Sequence, residues 1–254
     1  MKKGKVSSNI NIEENIFPCK TQGSIMKRFV VGDIHGAHKA LKQCIEKSGI
    51  DKENDLLISL GDVADSWSEV PECFNELLEF KNLVYIMGNH DYWMFKFIAN
   101  PNRTECDIWT SQGGWATVYA YESRKEELKK HLALLREAKP YHLTEDNKLF
   151  THGGYIYQEE DVLKGTTPDE FMWDRGLFLD AEFGNDKKTL KLDLFNEVYI
   201  GHTQSHGEVI IRHNLYNVDT GAGWNGVLTM MDIDTKEMFQ SDNVFTLYPN
   251  ERGR

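Results

Sequence analysis

Residues 56–67 read "LLISLGDVADSW": five apolar or small residues, Leu56–Leu60, run into Gly61 and then two aspartates, Asp62 and Asp65, three positions apart. Such a run is short enough for a buried strand, and the Gly-Asp that follows ends it in a polar turn. Alone, the stretch is an ordinary strand closed by a loop. The same pattern occurs twice more, as "RFVVGDIHG" at 28–36 and "LVYIMGNHD" at 83–91. Between the first two lies a helical pattern over about 37–48, with Leu41, Cys44 and Ile45 on one face and Gly49 as its stop. Between the last two, a second helix is expected from Pro71, a favoured first-turn residue, to Phe80. A βαβαβ rhythm implies parallel strands at 28–31, 56–60 and 83–87. Their carboxyl ends then lie on one edge, and the three polar motifs meet there.

The chain changes character downstream. Residues 92–139 read as polar and helical, with "RKEELKKHLALLREA" (124–138) an amphipathic helix stopped by Pro140 and its charges forming a solvated face. The last third returns to strand patterns in "KLFTHGG", "EVYIGHT", "EVIIRHN", "LYNVDTGAGWNG" and "VLTMMDID". Turn chemistry such as "DIDTKE" predicts hairpins and a more antiparallel sheet there. Residues 1–25 share none of this periodicity and are expected to be an extension, which leaves 26–254 as a single domain.

Composition narrows the function. The 254 residues are 40% hydrophobic and 27% charged, with a formal net charge of −11. This fits a single soluble domain and argues against a broad grip on duplex nucleic acid, which needs clustered Lys and Arg. No apolar run approaches the ~18 residues of a membrane span. The N-terminus lacks the apolar core of a signal peptide, so a cytoplasmic location is expected. Cys19, Cys44, Cys73 and Cys106 are scattered without a C-x-x-C pair, a pattern of reduced thiols rather than a disulfide framework.

Asp33, His35, Asp62, Asn89, His90, His152 and His202 all sit at or just past a predicted strand end, each within two residues of a glycine. One such motif is usually a turn, and a lone buried histidine is usually a core residue. Five motifs in order, "GDIHG", "GDVAD", "GNHD", "HGG" and "GHT", are a different matter. Hard oxygen donors mixed with imidazole suit Mn, Fe or Zn, and two such ions about 3.5–4 Å apart make a hydrolytic clamp.

These five motifs resemble the signature of the calcineurin-like metallophosphoesterases, and more narrowly the bacterial and phage branch of the Ser/Thr phosphoprotein phosphatases. "WTSQGG" at 109–114, "MWDR" at 172–175 and "DTGAGWNG" at 219–226 support that branch, and the resemblance spans about Met26 to Asp242. It implies an α/β fold: a four-layer α/β/β/α sandwich of two mixed sheets with a helical cap insertion. It also implies two divalent ions, Mn2+ first with Fe or Zn as alternatives. Asp33 and His35 would hold one ion, Asp62 would bridge, and Asn89, His152 and His202 would complete the second. His90 would protonate the leaving group, Asp65 would orient His90, and Arg175 would hold the substrate phosphate. Gln204 stands where other metallophosphoesterases place a further histidine, in keeping with the phosphoprotein phosphatase pattern; His206 reads as a surface or supporting residue.

The chain departs from that branch at Asp65-Ser66-Trp67, where relatives have Asp-Arg-Gly, and at Asp91, where they have Glu. Ser66 and Trp67 are therefore candidates for contacting substrate, with packing beneath the cap as the other reading of Trp67. Three functions stay open. The first is hydrolysis of phosphoserine or phosphothreonine. The second is hydrolysis of nucleotides or dinucleoside polyphosphates, for which Trp67, Trp93, Trp109 and Trp224 are candidate base clamps. The third is an inactive binding module on the same fold. In the first two the partner is a phosphorylated substrate, a phosphoprotein or a small phosphoester.

Overall fold

A computed structural model describes residues 26–98 and 106–253. The extension expected over 1–25 and part of the helical region expected over 92–139 lie outside the described residues. Among those described, the strands are β1 (Arg28–Val31), β2 (Leu56–Ser59), β3 (Asn82–Tyr85), β4 (Tyr141–Leu143), β5 (Lys148–Thr151), β6 (Glu197–Ile200), β7 (Ile210–Arg212), β8 (Leu215–Asn217), β9 (Thr229–Asp232) and β10 (Met238–Gln240). They form two five-stranded sheets, ordered β10-β9-β1-β2-β3 and β4-β5-β6-β8-β7.

The expected parallel core is present. Val31 stands opposite Ser59, and Ser59 opposite Tyr85, so β1, β2 and β3 end together and release "GDIHG", "GDVAD" and "GNHD" along one edge. Helix α1 (His38–Ser48) buries Ala40, Leu41 and Cys44 against this sheet. It stops at Gly49, whose left-handed φ of 61° turns the chain out of the helix after its N–H has closed the last turn on the Ile45 carbonyl at 3.1 Å. Helix α2 (Val70–Leu78) carries Pro71 in its first turn and buries Val70, Cys73, Phe74 and Leu77.

The cap is built from α3 (Asn89–Phe97), α4 (Cys106–Trp109), a kinked turn at Thr110–Gly114, α5 (Trp115–Tyr121) and α6 (Lys125–Arg136). Helices α5 and α6 pack on α2, which fixes the cap beside the edge where β1–β3 end. Further along, α7 (Val162–Gly165), α8 (Pro168–Trp173) and α9 (Gly176–Glu182) connect β5 to β6, and α10 (Val244–Leu247) lies near the C-terminus.

Three apolar clusters show the layering. One joins α1, α2 and the cap helices to the first sheet, through residues such as Leu41, Phe74, Leu135 and Phe29. A second joins α7–α9 to the other sheet, through Phe171, Leu177, Leu149 and Val198. The third lies between the sheets and holds Val30, Ile58, Phe150 and Tyr199, the last two stacked at 4.6 Å. The result is helix, sheet, sheet, helix, with both sheets mixed.

One expectation needs correction. Hairpins and a more antiparallel sheet were expected for the C-terminal third; the antiparallel pairs are there, but β5, β6 and β8 run parallel. The reason is the helical segment 162–182, which carries the chain back across the sheet before β6 begins; it was not anticipated. In this second sheet the outer pairs β4/β5 and β7/β8 are antiparallel, and in the first the "DIDTKE" turn joins the antiparallel β9/β10 hairpin.

Candidate metal centre

The site lies where β1, β2, β3, β5 and β6 end. Asp33 and His35 follow β1, Asp62 follows β2, Asn89 opens α3 after β3, His152 follows β5 and His202 follows β6. His35, Asp62 and His202 adopt positive φ values of 50°, 49° and 66°. Non-glycine residues rarely hold that conformation, and where they do it is commonly part of a functional site held in place by its surroundings.

The donors converge as two groups with Asp62 in common: Asp33, His35 and Asp62 in one, and Asp62, His152 and His202 in the other. Within each group the donor atoms lie within 4.8 Å of one another. His35 Nε2 is 3.6 Å from Asp62 Oδ2, and His152 Nε2 is 3.4 Å from the same oxygen. Asn89 Oδ1 lies 3.0 Å from His152 Nε2, which places it beside the second group. His35 Nδ1 donates to the Ala64 carbonyl at 2.9 Å and His152 Nδ1 to that of Leu60 at 2.8 Å. A carbonyl only accepts, so both rings keep their Nδ1 proton and present Nε2 to the centre.

The chemistry of the donor set fits divalent ions. Nε2 of His202 is buried without a hydrogen-bond partner. Burial, with the charges of His152 and Arg175 nearby, holds that ring well below the usual histidine range and therefore neutral, as a ligand must be. Burial and the neighbouring Asp219 push Asp33 well above the carboxylate range. Burial alone would raise Asp62 too, but His152 and His90 hold it well below. Buried carboxylates crowded in this way are stabilised by cations.

A cavity of about 130 Å³ opens over the centre, lined by Asp33, His35, Asp62 and His202 together with Arg175, Gln204, Asp219 and Trp224. Arg175 Nη1 donates to the His202 carbonyl and to Thr203 Oγ1, each at 2.9 Å, so its guanidinium is held against the β6 loop. Gly223 also lines the cavity, and a Cβ there would fall 2.4 Å from the His35 ring.

His90 and Asp65 form a separate buried pair, with Nδ1 of His90 2.6 Å from Asp65 Oδ2. The His90 ring stands edge-on to that of His35 at 4.9 Å, which brings it up to the first donor group. Asp62 Oδ1 accepts the His90 backbone N–H at 2.8 Å. Burial pushes the Asp65 carboxyl up to about 7, opposed by the Thr117 hydroxyl and, more weakly, by the Trp109 indole. Asp91 braces the same loop: Oδ1 accepts Val63 N–H and Ala64 N–H at 2.9 and 3.0 Å, while Oδ2 accepts the Tyr85 hydroxyl at 2.8 Å.

Several readings change. Trp67 does not face substrate: it is 0% exposed, stacks on Tyr248 at 5.0 Å and donates its indole N–H to the Ala222 carbonyl at 2.7 Å. An apolar ring with one polar handle is accommodated best in the core with that handle bonded. Ser66 is also buried and does not line the cavity; its N–H is turned to the Gly113 carbonyl at 3.2 Å. Trp109, another candidate base clamp, is fully buried and donates to Asp65. Of the four candidates, Trp224 lines the cavity and half-buried Trp93 lies edge-on to His90 at 5.0 Å. His206 is exposed.

Asp219, Trp173 and Thr117 had not been singled out. The first two lie in the quoted "DTGAGWNG" and "MWDR", so a signal existed; Thr117, three residues past "WTSQGG", had none.

Comparison with known proteins agrees with this geometry. The family model for calcineurin-like phosphoesterases matches residues 26–226. A serine/threonine-protein phosphatase 1 of Salmonella typhimurium is 25% identical over 211 residues, covering 81% of this chain and 91% of that protein. A symmetrical bis(5'-nucleosyl)-tetraphosphatase of Haemophilus ducreyi is 23% identical, covering 86% and 100%. Among solved structures, a putative diadenosine tetraphosphatase superposes with a TM-score of 0.63 at 14% identity, covering 86% of this chain and 94% of that one. With its metal-donor geometry and that match in hand, the chain belongs to the calcineurin-like phosphoesterase family.

Proposed function

We propose that this phosphoester hydrolase is a two-metal phosphomonoesterase acting on phosphorylated serine or threonine. The observation that carries the reading is the pair of donor groups sharing Asp62, with the His90–Asp65 pair buried beside them. Asp33, His35 and Asp62 would hold one ion, and Asp62, Asn89, His152 and His202 the other, with Mn2+ the favoured metal. Bound there, divalent ions supply Lewis acidity that activates water and offsets charge on the phosphoryl oxygens. Arg175 binds the phosphoryl group through a planar guanidinium whose donors match its oxygens. His90 gives its Nε2 proton to the departing alkoxide, a step worth about 10²–10⁴ in rate, while Asp65 holds the opposite nitrogen. Among the described residues a cysteine nucleophile finds no support: Cys44, Cys73 and Cys106 are buried, and burial pushes the Cys44 thiol up to about 12.

A specific observation favours a second reading, dinucleoside polyphosphate hydrolysis. Trp93 and Trp173 meet edge-on at 5.0 Å between His90 and His202, Trp173 is 40% exposed, and Trp224 is 39% exposed at the cavity. These rings offer apolar faces on which a base could stack. Mn2+-loaded protein should be compared on a phosphoserine peptide and a dinucleoside tetraphosphate. The first reading expects the higher kcat/KM on the peptide, changed little by Trp173→Ala or Trp224→Ala. Preference for the dinucleotide, lost in either variant, would overturn it in favour of the second.

A further inference from the structure

Asp65 is 0% exposed, and its carboxylate is held from three sides. Thr117 Oγ1 donates to Oδ1 at 2.6 Å, and the Trp109 indole N–H reaches Oδ2 at 2.8 Å and Oδ1 at 3.0 Å. His90 Nδ1 takes the remaining place on Oδ2 at 2.6 Å. The Asp65 backbone N–H donates back to Thr117 Oγ1 at 2.9 Å, so hydroxyl and carboxylate fix each other. With every donor assigned, the carboxylate cannot turn without leaving a buried polar atom unpaired.

The sequence of the cap is shaped around this contact. Trp109 ends α4, and a Cβ on Gly114 would sit 2.7 Å from its Nε1 and Cε2, so only glycine leaves room for the indole. Gly113, at φ 98°, offers its carbonyl to Ser66 N–H and ties the kinked turn to the residue after Asp65. Trp109 also packs against Phe97 at 6.2 Å, so a core role accounts for its ring but not for the direction of its N–H.

We propose that Trp109 and Thr117 are positioning residues that orient His90 through Asp65. They act from α4 and α5, whereas Asp65 follows β2 and His90 opens α3, so these two later helices set the direction of the proton donor. This rests on the reading of His90 as the acid.

The test uses Thr117→Val, which removes the hydroxyl that donates to Asp65 Oδ1 and accepts the Asp65 N–H, and Trp109→Phe, which removes the indole donor; both keep most of the volume. Both are assayed on glycerol phosphate, whose leaving group needs a proton, and on 2,4-dinitrophenyl phosphate, whose leaving group does not. Each variant is expected to lower kcat on the alkyl ester by ~10–100-fold with KM and bound metal unchanged, and on the dinitrophenyl ester by less than ~3-fold. Thr117→Ser should restore the alkyl rate. In metal-free protein, the imidazole 15N shifts of His90 should move from one ordered tautomer toward a mixture in Thr117→Val. Equal losses on both esters, or full alkyl activity with unmoved His90 signals, would overturn the proposal. If Trp109→Phe does not fold, the Thr117 pair decides. His90→Asn separates the two readings. If it spares the dinitrophenyl ester while Thr117→Val does not, only the positioning role falls. If His90→Asn itself shows no such preference, the acid assignment falls and the positioning role with it.

Discussion

At the scale of single residues, Asp62 and His90 are adjacent in space and separable in role. Asp62 belongs to both donor groups, whereas His90 touches it through the backbone and turns its ring to Asp65. Asp62→Asn is expected to lose metal and activity together. His90→Asn should keep its metal while kcat falls by about 10²–10⁴, and elemental analysis beside kinetics checks the split. Loss of metal from His90→Asn would contradict it. His152 gives a pH prediction. Burial alone would lower its pKa, but Asp62, Asp33 and the Leu60 carbonyl push it up to about 10. At pH 7–8 the metal-free ring therefore carries a proton on Nε2, the atom an ion requires, and binding must expel it. Because protons compete less as pH rises, apparent metal affinity should climb from neutral pH toward 10. Calorimetry in buffers of different ionisation enthalpy should find net proton release on metal binding near pH 7.5; pH-independent affinity would contradict this.

At the scale of elements, the site depends on loops packed closely enough that a methyl group disturbs them. Gly223 lies in the loop between β8 and β9, against the His35 ring that follows β1. Its φ is not in the left-handed region, so Gly223→Ala keeps the backbone and forces only the ring to move. Metal affinity should fall by about tenfold or more with thermal stability changed little, measured by metal titration and melting; unchanged affinity would mean His35 does not bind the ion. The elements that carry the motifs were legible because each announces itself locally. An apolar run ending in Gly-Asp needs no partner to be recognised, and α1 carries its stop residue, Gly49, and α2 its start residue, Pro71. Helices α7–α9 were not legible: they are short, and the apolar residues they bury against the second sheet are too few to show a period. Trp67 was ambiguous for a different reason. Its place in the core is fixed by Tyr248 and Ala222, more than 150 positions away, and no local pattern reports that.

At the scale of the molecule, the centre joins the two sheets. Asp33, His35, Asp62 and Asn89 leave the first sheet, and His152 and His202 leave the second. An ion bound to residues of both sheets favours the folded chain over the unfolded one by mass action. Mn2+ at one hundred times its dissociation constant should raise the melting temperature by about 5–10 °C over protein in chelator, and His152→Ala should remove most of that gain. The same rise in His152→Ala would contradict a centre that spans the sheets. Hydrolysis by an Asp62-centred metal pair is tested by titrating verified metal-free protein with Mn2+ while counting bound ions and following phosphate release from an aryl phosphate. Two ions per chain are expected, with no hydrolysis before ions are bound. Full hydrolysis by the metal-free protein in excess chelator would contradict it.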